Sequence, residues 1–78
     1  MNVYVLRLEG IQVFSTARKA VEYLVNGGLC EDAYIHDDSY EEIALADLSV
    51  EKMITMINKQ RSIEECGGEW AILKESVW

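Results

Sequence analysis

His36-Asp37-Asp38 is the triplet with the most chemical promise in this chain. An imidazole beside two carboxylates can bind a metal or act as a general base. The spacing argues against both. Consecutive residues on a strand point to opposite faces, so three in a row do not converge on one atom. A calcium loop needs alternating oxygen ligands, a central glycine and a closing glutamate, and Ser39-Tyr40-Glu41-Glu42 does not supply them. Cys30, Cys66 and His36 lack any zinc-site spacing. A nucleophilic cysteine needs a base and an electropositive setting. Cys30 is followed by Glu31 and Asp32, and Cys66 follows Glu64 and Glu65, so both thiols are expected to be inert, one or both of them in the core, and the absence of any sign of secretion implies that they are reduced. Ser15, Ser39, Ser49 and Ser62 fall at cap or loop positions, and the two Gly-Gly pairs follow helices rather than opening a phosphate loop. No nucleophile, base and orienting group can be assembled, so the expectation is no enzyme, no metal and no cofactor.

The elements that would position these residues follow from periodicity. Residues 2–9 alternate, with Tyr4, Leu6 and Leu8 on one side and Val3, Val5 and Arg7 on the other. Ile11 to Phe14 resumes a strand pattern after Gly10, either as a tight hairpin or as one long strand bent at a glycine bulge. Ser15 or Thr16 can cap a helix whose apolar face is Ala17, Ala20, Val21, Leu24 and Val25, ended by Gly27 and Gly28. Ala33 to His36 and Glu42 to Ala46 suggest a short hairpin, with Asp37, Asp38 and Ser39 as turn formers at its tip. Ser49 caps a second helix with Val50, Met53, Ile54 and Ile57 inward and Lys52, Lys59 and Arg61 outward. Residues 58–66 read as the helix end and a loop. Gly67-Gly68 precedes a last strand that holds Trp70, Ile72, Leu73 and Val77. The order is β-α-β-β-α-β, with the first strand open to being a hairpin. It predicts a small α+β domain of ferredoxin-like order, an antiparallel sheet with both helices on one face.

With 78 residues the chain is one domain, residues 1–78, and its hydrophobic half suffices for one core but not for a deep substrate cavity. No stretch approaches the ~20 apolar residues of a membrane span, and the opening residues do not pattern as a signal peptide, so a cytoplasmic setting is expected. The net charge of −7 is unevenly laid out. Residues 1–19 carry +2 and residues 52–78 are neutral, while residues 20–51 contain no Lys or Arg and carry −9. Those acids alternate with Tyr34, Ile35, Tyr40 and Ile43, unlike a disordered acidic tail. A run of acids is often no more than a solvated, solubilising surface. Like charges packed without counter-ions also repel, and a basic partner would relieve that cost.

The composition excludes direct nucleic-acid binding, because the net charge repels phosphate and the basic-glycine-aromatic signature of an RNA-recognition strand is missing. Between Phe14 and Arg18 there is no arginine-bearing phosphate loop of the acylphosphatase kind. The opening Val3-Tyr4-Val5, then Gly10, Val13-Phe14-Ser15-Thr16, Ala20 and Tyr23-Leu24, resembles the start of small phage and prophage accessory proteins, over about a third of the chain. The resemblance implies a host-inhibitor setting, of the anti-CRISPR or DNA-mimic kind, and carries over no functional residue. The expected function is therefore a protein-binding inhibitor. Glu31, Asp32, Asp37, Asp38, Glu41 and Glu42 would face a basic nucleic-acid-binding protein, such as a CRISPR effector subunit, with Tyr34 and Tyr40 as anchors. The alternative is an assembly protein that dimerises through the sheet edge, Trp70 and Trp78.

Overall fold

The computed structural model describes residues 1–37 and 39–77. Asp38 and Trp78 lie outside the described residues. The chain forms β1 (Asn2–Arg7), β2 (Ile11–Phe14), α1 (Ala17–Asn26), β3 (Tyr34–His36), β4 (Glu42–Ala44), a 3-10 turn (Leu45–Asp47), α2 (Val50–Gln60), β5 (Ser62–Glu64) and β6 (Ala71–Ser76). The opening is a hairpin, with Arg7 paired to Ile11 and Tyr4 to Phe14. Its three-residue turn holds Glu9 at φ 49° and Gly10 at φ 136°, and the second value is one that only glycine adopts without strain.

The main sheet is antiparallel, in the order β2-β1-β6-β5. The α+β class is as expected, and the element order is compatible with a ferredoxin-like arrangement. The pairing differs in two particulars. β2 lies on the far side of β1 from β6, and β3 and β4 pair with each other as a separate two-stranded sheet. A single bridge, Ile35 to Glu65, ties that hairpin to the chain just beyond β5.

Alternation decides which side of the main sheet is covered. Tyr4, Leu6, Ile63 and Ile72 are buried in one core with Ala17, Ala20, Val21 and Leu24 of α1 and Met53 and Ile57 of α2. The opposite face carries Val3, Val5, Ile11, Val13, Ala71 and Leu73, with Ile11 71% and Val13 61% exposed. Both helices are capped as their sequences require. The Thr16 side chain accepts from the Lys19 amide, and that of Ser49 from the Lys52 amide, each at 3.1 Å.

Several expectations change. Val25 is 41% exposed and lies off the buried face of α1. The second short strand ends at Ala44, where Leu45 to Asp47 wind into the 3-10 turn and Leu45 enters the core. Residues 58–66 are not only helix end and loop. Arg61 turns the chain at φ 67°, and Ser62 to Glu64 form β5. Trp70 is 3% exposed, so it is a core residue and not a dimer contact.

Ile63 is the only apolar residue of β5, and it is buried against α2 and β6. Ile63→Ala should therefore destabilise the domain by about 2–5 kcal/mol in denaturant unfolding. A loss below about 0.5 kcal/mol, the range of ordinary surface changes, would mean that β5 is not part of the folded core.

Candidate functional site

The acidic segment folds as an ordered ledge. Ile35 is fully buried and Ile43 half-buried, so the alternation of β3 and β4 turns Tyr34, His36, Glu42 and Ala44 to the outer side. At the tip, Asp37 Oδ1 accepts from the amides of Ser39 (2.8 Å) and Glu41 (3.0 Å). The backbone closes with Asp37 N–H to the Glu41 carbonyl and Tyr40 N–H to the Asp37 carbonyl. This side-chain-built turn is what an aspartate contributes at a loop start. Tyr40 sits at φ 62° and is 86% exposed. At the base of the hairpin, Leu45 N–H donates to the Ala33 carbonyl at 2.9 Å.

The expected contact residues divide accordingly. Tyr34, Tyr40, Glu41 and Glu42 are exposed on or beside the hairpin. Asp37 is half-buried and spends its carboxylate on the turn. Glu31 and Asp32 are exposed in the turn after α1, at the base end of β3, about 10 Å of strand from the tip. Asp38 falls outside the described residues. None of Glu31, Asp32, Asp37, Glu41 and Glu42 forms an ion pair with a described residue; Arg18 and Glu51 do so elsewhere. On its inner side, Asp37 lines a shallow cleft together with Lys52 and Lys59 of α2.

One grouping on that outer side joins residues far apart in the chain. His36 and Glu42 are cross-strand partners. Cys66 arrives from beyond β5, its amide donating to the Tyr34 carbonyl at 2.8 Å. Its Sγ lies 3.7 Å from Nδ1 and 3.9 Å from Nε2 of His36. One donor atom from each of His36, Glu42 and Cys66 falls within 4.8 Å of the other two, and all three residues are exposed. Of the two cysteines expected to lie in the core, one or both, Cys30 packs half-buried against it, whereas Cys66 is exposed and meets His36. Residue spacing carries no sign of this, because 30 residues separate Cys66 from His36.

The thiol is not activated. Desolvation first, then the carboxylates of Glu42 and Glu65, push the Cys66 pKa above its ordinary value. Burial alone pushes up that of Cys30. Both cysteines are free. No helix among the described residues is long and apolar enough to cross a membrane. No protein-family model, curated protein or solved structure matches this chain.

Because Glu42 helps to hold the Cys66 thiol protonated, Glu42→Gln should lower that pKa. The rate of Cys66 alkylation against pH should then rise at lower pH than in the wild type, with Cys30 serving as an internal reference. An unmoved profile would show that Glu42 does not sense the thiol.

Proposed function

We propose that the domain is a non-enzymatic protein-binding inhibitor. Its acidic hairpin occupies a basic, nucleic-acid-binding surface of another protein, in the manner of phage-encoded anti-CRISPR proteins or DNA mimics. The observation that carries this reading is the hairpin with the turn that precedes it, where Glu31, Asp32, Glu41 and Glu42 are exposed, form no ion pair with a described residue and stand on a backbone held by its own hydrogen bonds. A pre-ordered ledge costs little conformational entropy on binding. Tyr34, 47% exposed, and Tyr40 supply aromatic surface among the charges, and buried aromatics dominate interface energies. Complementary charge speeds encounter with a basic partner, at a rate that falls with salt. The partner reads as a nucleic-acid-binding protein because Lys- and Arg-rich surfaces are the footprint of phosphate recognition. The setting is the cytoplasm of a host cell.

A second reading, a homodimer with an assembly role, is favoured by the uncovered sheet face. Val13, Val5 and Leu73 form one row across β2, β1 and β6, and Ile11, Arg7, Ala71 and Glu64 form the next across all four strands. A two-fold partner would bury the valines against their own copies and set Arg7 against Glu64 or Glu75, a self-complementary pattern.

The two readings make separable predictions. The inhibitor reading is tested with the quadruple variant Glu31→Gln, Asp32→Asn, Glu41→Gln, Glu42→Gln, which spares the Asp37 turn. The immobilised domain should capture, at low salt from a nuclease-treated bacterial lysate, a protein that binds nucleic acid and loses that binding when the domain is added. The variant should bind that protein more than roughly tenfold more weakly, with a flatter salt dependence. Equal affinity for the variant, or simultaneous binding of domain and nucleic acid, would refute it. The dimer reading predicts a dimer in light scattering that Val13→Lys converts to a monomer. A wild-type monomer at high concentration would remove it.

A further inference from the structure

The outer side of the hairpin holds a donor set of which the acidic-surface reading uses only Glu42. His36 offers an imidazole nitrogen, Glu42 a carboxylate and Cys66 a sulfur, within 4.8 Å of one another. The three come from β3, from β4 and from the turn beyond β5. Their backbones are fixed together by the His36–Glu42 strand pairing, the Ile35–Glu65 bridge and the hydrogen bond from the Cys66 amide to Tyr34. The separation of sulfur and imidazole nitrogen, 3.7 Å, is close to the edge of a metal tetrahedron. Bonds of roughly 2.0–2.3 Å at tetrahedral angles put ligand atoms about 3.3–3.6 Å apart.

We propose that His36, Glu42 and Cys66 bind one zinc ion, with water in the fourth position. The chemistry of the donors selects the ion. Calcium and magnesium take oxygen ligands and would leave the sulfur and the imidazole unused. Thiolate with imidazole suits zinc, and three protein ligands with one open position are a recurrent zinc arrangement. All three residues are exposed, so the ion has an entry path and the fourth position faces solvent. Glu65, half-buried beside Cys66, adds negative charge that favours a cation. On binding, the Cys66 thiol gives its proton to solvent and the sulfur coordinates as thiolate. Zinc would also clamp the hairpin to the β5–β6 turn, joining three segments now held by a few backbone hydrogen bonds.

The test is a calorimetric titration of the chelator-treated protein with Zn²⁺, repeated with Co²⁺ to read the sulfur-to-metal charge-transfer absorption. The expected result is saturable binding of one ion per chain, with the charge-transfer band present. Cys66→Ser should abolish the band, and His36→Ala and Glu42→Gln should each weaken zinc binding by more than roughly tenfold, since even partners outside the ligand set cost about 10–100-fold. Cys30→Ser should change neither. Circular dichroism of each variant shows whether its fold is kept, and exposed positions make that the expected outcome. Should Cys66→Ser not fold, alkylated wild-type protein serves in its place. Absence of one-to-one binding, or binding that survives loss of the Cys66 thiol, would overturn the assignment. The titration needs no partner protein, so its failure leaves the inhibitor reading where it stands.

Discussion

The docking of β3 on the chain beyond β5 is the constraint on which the outer surface depends. It consists of little: the buried Ile35 side chain, one bridge from Ile35 to Glu65, and the amide of Cys66 on the Tyr34 carbonyl. Its consequences are large. It sets the separate β3-β4 hairpin beside the chain just beyond β5, at that end of the order β2-β1-β6-β5. It fixes which side of the hairpin faces out. It also brings Cys66 onto His36 and Glu42.

The charge layout follows from the same contact. Nine acids over residues 20–51 without a Lys or Arg would repel one another strongly in a compact cluster. The fold keeps them apart. Glu31 and Asp32 stand at one end of β3, Asp37 and Glu41 at the other, and Glu51 pairs with Arg18 on the helices. Alternation along β3 and β4 separates the apolar Ile35 and Ile43, which face the core, from Tyr34, His36 and Glu42, which face solvent. The acidic surface is thus a by-product of a hairpin that must bury two isoleucines, with Glu42 on its outer side and the other exposed acids at its two ends.

Much of this was legible in the sequence, and the parts that were not share a cause. Both helices announced themselves through local signals, a hydroxyl cap and a 3.6-residue apolar stripe, although the stripe of α1 overreached at Val25. The Asp37 turn was readable because an aspartate closes it with its own side chain. β5 was not, since Ser62-Ile63-Glu64 offers one apolar residue and its pairing with β6 lies across the chain. Trp70, a strand residue that its type alone left open to a dimer contact, is buried in the core immediately before β6. The cluster of His36, Glu42 and Cys66 left no trace in spacing, because zinc-site patterns register ligands close in sequence whereas here a tertiary contact supplies the third. Local rules found what local forces build; the long-range pairings were invisible to them.

An ordered acidic surface and a site shared with Cys66 both need the hairpin to be a rigid part of the fold, and native-state hydrogen exchange tests that most directly. The amides of Cys66 and Leu45, bonded across segments to Tyr34 and Ala33, should exchange only on openings close in free energy to global unfolding. The Glu31 amide, held by a long 3.4 Å bond in an exposed turn, should exchange far faster. Cys66 and Leu45 amides exchanging as fast as Glu31 would mean that the hairpin swings free, and neither an ordered acidic ledge nor a shared site with Cys66 would survive that result.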